Sequence, residues 1–157
     1  MKKIVFVLTL LLPISNLLLA QKLLEAVEAK NYAAAEHCIK AGEKVNKTDK
    51  EGQFPLWKAV WNNDTTMAEL LIKNGADVNQ KFKGKEAKIA CVDIAAQEGN
   101  LEIAKLLVDG GADVNGKNFR GHSSLRIACR NSHLELVKYF ISKGSEIDTR
   151  GMTVLLH

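Results

Sequence analysis

One phrase returns along this chain at nearly constant spacing. It reads Lys73-Asn-Gly75-Ala-Asp-Val-Asn79, then Asp109-Gly-Gly111-Ala-Asp-Val-Asn115, then Ser142-Lys-Gly144-Ser-Glu-Ile-Asp148, with a fainter copy first at Lys40-Ala-Gly42-Glu-Lys-Val-Asn46. The glycines at 42, 75, 111 and 144 step by 33, 36 and 33 residues. Self-similarity at this period predicts a stack of units, none of which can bury its apolar face alone. Such a stack presents a long surface rather than one deep chemical pocket, so function is sought on that surface first.

The stretches between the phrases are equally regular. Gly52-Gln-Phe-Pro-Leu-Trp-Lys-Ala59 and Gly121-His-Ser-Ser-Leu-Arg-Ile-Ala128 each read as a turn glycine followed by the start of a helix. Asn100-Leu-Glu-Ile-Ala-Lys-Leu-Leu107 and His133-Leu-Glu-Leu-Val-Lys-Tyr-Phe140 read as a second helix. Together these resemble the ankyrin repeat family, whose first helix carries G-x-T-P-L-H-x-A, over roughly residues 22 to 155. The resemblance implies an all-α solenoid of helix-turn-helix units joined by short β-hairpin turns. It also implies an N-capping unit at 21–45, repeats at about 46–78, 79–114 and 115–147, and a partial repeat at 148–157. In place of the family's histidine stand Trp57, Asp93 and Arg126, which predicts a weakened hydrogen-bond network in the turns.

Residue chemistry supports the same units. Pro55 suits the first turn of a helix, where its missing N–H would be unpaired anyway. Leu56 with Ala59, Val92 with Ala95 and Leu125 with Ala128 put one apolar face inward, the alanines allowing close approach by the second helix. Gly99 and, one unit earlier, Asn63 can take the left-handed conformation that ends the first helix. Leu70-Leu71-Ile72, Leu106-Leu107-Val108 and Phe140-Ile141 are expected to form the core between units. By register Cys38, Cys91 and Cys129 read as buried small hydrophobes, while a Cys91 disulfide to a neighbour stays open for an exported chain.

The two ends read differently from the middle. Lys2 and Lys3 precede an apolar run at Ile4–Leu12, and Ala20 offers a cleavage point before Gln21, the pattern of a secretory signal over residues 1–20. A membrane anchor is the other reading, but a run broken by Pro13 falls short of the about 20 apolar residues needed to span a bilayer. The expected location is therefore secreted or periplasmic, with no membrane contact after cleavage. At the other end, the motif at Asp148–Leu155 breaks off at His157 before a helix pair can form, so the natural protein is expected to continue, or this is a fragment.

Charge and motifs argue against most chemistry. The formal net charge is +4; removing the two leader lysines brings it closer to neutral, without the concentrated basic footprint of a nucleic-acid binder. His37 and Cys38 are adjacent on a helix and do not face each other. His133 occupies a structural position of the repeat, and Asp77 and Asp113 recur with the fold, as scaffold residues would. No phosphate loop or metal-ligand spacing occurs, so no cofactor, metal or catalytic residue is expected.

The expected function is binding another protein, as a monomer or hetero-complex, and the resemblance to ankyrin repeats implies contact through turn tips and the inward side of the first helices. The candidate residues are Lys50 and Gln53 on the first turn, Phe119, Arg120 and His122 on the third, and Trp61 and Arg130 on first helices. Phe82 joins them from a second turn three residues longer than its neighbours, among Lys81, Lys83, Lys85 and Lys88. It either anchors an acidic partner or folds back on the protein. Aromatic residues and arginine dominate binding hot spots. An inhibitory or protective partner of an exported protein is one expected role. The recognition segment of a longer enzyme continuing past His157 is the alternative, and a hydrolase using Cys91 or Cys129 a third.

Overall fold

The structure is a computed structural model that describes residues 22–83 and 88–147. The leader at 1–20 and the partial repeat at 148–157 lie outside those residues. Four helix pairs follow one another: α1 (Lys22–Glu28) with α2 (Tyr32–Lys40), α3 (Pro55–Trp61) with α4 (Thr65–Lys73), α5 (Cys91–Glu98) with α6 (Leu101–Asp109), and α7 (Ser124–Arg130) with α8 (Leu134–Ser142). First helices stack on first helices, α1 on α3 on α5 on α7, while α4, α6 and α8 form a second layer. The interior between the layers is continuous. Leu71, Leu107 and Phe140 are all fully buried in one cluster with Leu23, Leu56, Ile103 and Leu136, each worth about 1.5–3 kcal/mol of burial.

The local chemistry of each unit explains its turns. Pro55 is the first residue of α3. Asn31, Asp64 and Asn100 cap the second helices by accepting from the backbone N–H three residues on, satisfying a donor that would otherwise be orphaned. The junction between paired helices is left-handed in every unit, at Lys30, Asn63, Gly99 and Ser132. Lys30 and Ser132 there are unexpected, since neither type adopts that conformation readily.

The recurring phrase has a structural purpose that its repetition alone does not reveal. The Asn46 side chain donates to the Gly75 carbonyl at 3.0 Å and accepts from Asp77 N–H at 2.8 Å. Asn79 repeats this with Gly111 and Asp113, and Asn115 with Gly144 and Glu146. Each phrase is thus stitched to the next by one amide side chain that both donates and accepts. Asp77 and Asp113 brace the same loops, accepting from the N–H groups of Asn79 and Asn115.

The long second turn is a β-hairpin. Strand β1 (Lys81–Lys83) pairs antiparallel with β2 (Lys88–Ala90), setting Phe82 opposite Ile89. In the third turn the corresponding pairing is a single bridge between Lys117 and Ser123.

Two expectations need correction. Cys129 is exposed, although its counterparts Val60 and Ala96 are buried. Ile141 is 46% exposed, and only Phe140 of that pair enters the core. Both have one cause: Val60 and Ile72 are covered by the following unit, and among the described residues no helix follows α8. At the positions of the missing family histidine, other contacts couple neighbouring units. Trp57 stacks on Phe82 at 4.5 Å, and the Asp93 carboxylate accepts from Ser124 Oγ at 2.7 Å.

Candidate partner-binding groove

The inward ends of α3, α5 and α7, with the turn before α7 as a rim, enclose an open groove of about 470 Å³. Trp61, the last residue of α3, forms one wall and is 54% exposed. Its indole is held by stacking on Trp57 at 5.3 Å, and Trp57 is in turn sandwiched by Phe82. Gln97, in the last turn of α5, lies on the same side, while Ile89, Ile94 and Ile127 supply an apolar floor. The opposite wall carries Phe119, Arg120, His122 and Arg130.

The rim turn is pre-set by its own hydrogen bonds. Asn118 Oδ1 accepts from the N–H groups of Arg120 and His122 at 2.9 and 3.0 Å, while its own N–H donates to the His122 carbonyl. Gly121, at φ +73°, closes the turn. This geometry pushes Phe119 outward, 53% exposed, with the Arg120 guanidinium lying 5.1 Å over its ring. A rim fixed this way loses little ordering entropy when a partner docks.

The electrostatics of the groove are one-sided. Burial, with the charges of Arg126, Arg130 and Arg120, holds the His122 imidazole below its ordinary value, so it is neutral near pH 7. Asp93 is the carboxylate in the lining, and it is turned inward: it accepts from Ser124 Oγ and from Ala90 N–H, and burial raises its pKa. Cys91 lies beneath this region, its thiol pushed up to about 12 by burial and by the carboxylates of Asp93 and Asp77. A thiol so hard to ionise is a poor nucleophile near neutral pH. Among the described residues no group of histidine, cysteine, aspartate and glutamate side chains could hold a metal ion. Nor is any described helix long and apolar enough to cross a membrane.

Of the eight residues singled out from the sequence, Trp61, Phe119, Arg120, His122 and Arg130 therefore line one groove. Lys50 and Gln53 sit apart on the first turn, where the Gln53 side chain accepts from Lys58 Nζ at 3.5 Å. Phe82 folds back: the hairpin aims it at Trp57, so it supports Trp61 from behind instead of standing free. The floor was missed. Ile94 and Ile127 occupy the position held by Lys58 in the first repeat, and that switch from charged to apolar on an inward-facing site was a readable signal.

Comparison with known proteins agrees with this architecture. A family model described as ankyrin repeats (3 copies) matches residues 23–118 and 92–157. Alpha-latrocrustotoxin-Lt1a from Latrodectus tredecimguttatus is 34% identical over 118 residues, which are 74% of this chain and 8% of the toxin. Alpha-latroinsectotoxin-Lt1a from the same organism is 29% identical over 107 residues, 68% of this chain and 7% of that protein. An ankyrin repeat and KH domain-containing protein of Caenorhabditis briggsae is 28% identical over 99 residues, 63% of this chain and 4% of the relative. The chain thus spans less than a tenth of the length of these curated relatives. Ankyrin repeats generally mediate protein–protein interaction and are typically non-enzymatic binding modules. With stacked helix pairs, glycine-phrase stitching and a family match over most of its length, the chain belongs to the ankyrin repeat family.

Proposed function

We propose that this chain binds a partner protein across the groove between Trp61 and the Phe119–His122 rim, with the neighbouring turn tips, Lys50 and Gln53 among them, extending the contact. One observation carries the reading: two half-exposed aromatic side chains face each other across an apolar floor, and each is fixed from behind, Trp61 by Trp57 and Phe119 by the Asn118 turn. Rigid aromatic anchors offer contact area at low entropic cost, as hot-spot residues do. The leader pattern at 1–20 supports export with cleavage after Ala20, so the partner is an exported protein, which such a surface would hold in an inhibited or protected state.

The test is capture of partners from the exported fraction by the wild-type protein and by Trp61→Ala combined with Phe119→Ala. Proteins held through the groove are expected to disappear from the double variant. An identical set captured by both forms would remove the groove from the binding surface. Mass spectrometry of the exported chain should find an N-terminus at Gln21.

A further inference from the structure

We infer that the segment docking in this groove is acidic: a stretch of protein whose carboxylates meet Arg120 and Arg130, beside an apolar side chain seated on Ile127 between Trp61 and Phe119. The inference rests on the groove reading above and names the chemistry of its occupant.

Three observations point to a carboxylate-bearing ligand. The ion pairs among the described residues all use lysine: Lys40 with Glu36, Lys58 with Glu28, Lys73 with Glu69, Lys138 with Glu135 and Lys143 with Asp109. Arginine is used differently. Three of the chain's four arginines, Arg120, Arg126 and Arg130, fall within one unit, and among the described residues none of these three pairs with an acid. Secondly, the acid that shares their groove, Asp93, is committed to Ser124 and to the backbone of Ala90. Among the described residues the accessible charge of the lining is therefore purely positive and unanswered. Thirdly, arginine presents a planar fork that matches a carboxylate with two parallel hydrogen bonds. The Arg120 fork is already steadied against Phe119.

The form of the groove favours protein over nucleic acid. A phosphate backbone needs a continuous basic track, whereas here one wall is cationic, the facing wall is Trp61 and Gln97, and the floor is isoleucine. That pattern fits a segment alternating acidic and apolar residues.

The test uses fluorescence anisotropy with three labelled probes: a short peptide alternating glutamate and leucine, its glutamine counterpart, and oligothymidylate. The glutamate peptide is expected to bind at least about tenfold more tightly than the glutamine peptide. The preference should vanish in Arg120→Gln combined with Arg130→Gln, both exposed positions, with the fold confirmed by circular dichroism. Added salt should weaken it. Equal binding of both peptides, no binding of the glutamate peptide at low salt, or its displacement by oligothymidylate would overturn the inference. The groove reading is judged separately with Trp61→Ala plus Phe119→Ala. If these weaken the glutamine peptide while no acidic preference exists, the groove stands and only its proposed occupant falls. If they change the binding of no probe that binds the wild type, the groove reading fails as well.

Discussion

Replacing Gly99 with alanine should cost more than the same change at Gly75, although both glycines sit in the left-handed region at φ +73° and +87°. The backbone penalty is shared, about 1–2 kcal/mol for a residue carrying Cβ. The surroundings differ. A Cβ at Gly75 meets nothing within 4 Å, whereas one at Gly99 would lie 2.5 Å from the His133 ring. That ring is not free to yield without loss, because its Nε2 bonds the Gln97 carbonyl at 2.9 Å. Displacing it forfeits a hydrogen bond of about 0.5–1.5 kcal/mol. Gly99→Ala is therefore expected to cost about 1 kcal/mol more than Gly75→Ala. Removing the obstacle should reveal the coupling: in Gly99→Ala combined with His133→Ala the hydrogen bond is already gone, so the pair costs about as much as Gly99→Ala alone, a non-additivity near 1 kcal/mol. Urea unfolding followed by far-UV circular dichroism reads all four proteins. Equal costs at Gly75 and Gly99, or strict additivity of Gly99→Ala and His133→Ala, would refute the reasoning. The same geometry explains why Asn63 is tolerated one unit earlier, where Asn100 stands in place of histidine and its side-chain amide donates to the Asn63 side-chain oxygen.

Two further outcomes follow from the electrostatics. In a proton-NMR titration the His122 midpoint should lie below the ordinary value near 6.5 and move up in Arg130→Ala, since removing a positive neighbour favours the imidazolium; no movement would mean that burial alone sets it. The charged groups around it are Arg120, Arg126 and Arg130, with Asp93 in the same groove. A docked carboxylate reverses the repulsion, so binding takes up a proton and affinity for the glutamate peptide should rise as pH falls from about 7 to 5. A thiol reagent should react quickly with one cysteine of the native chain, Cys129, and with all three once unfolded, because Cys38 and Cys91 are buried; rapid native labelling of Cys91 would contradict its placement. For Cys91 the folded pKa lies above the ordinary 9.0. Its contribution to stability is complete below that value and is lost as pH rises toward about 12.

Much of this molecule was already legible in the order of its residues. A glycine phrase repeated at 33 to 36 residues, alanines three places after an apolar residue, and cap residues at fixed offsets are short-range signals. Each is tied to a backbone conformation that its own neighbours enforce, so the stacked helical units followed from sequence alone. Trp61 and Phe119 could likewise be placed on an exposed face by register. Tertiary structure decided what those residues meet. Whether Phe82 stood out or folded back depended on which face of the hairpin pleat looked toward Trp57, and a one-residue shift would have reversed it. The exposure of Cys129 and Ile141 depended on whether another unit covers them, which no local pattern records. The groove itself exists because Trp61 and the Phe119 rim, some sixty residues apart, are brought opposite one another by stacking. Local chemistry specifies each unit; the face it shares with its neighbours is a property of the assembled stack.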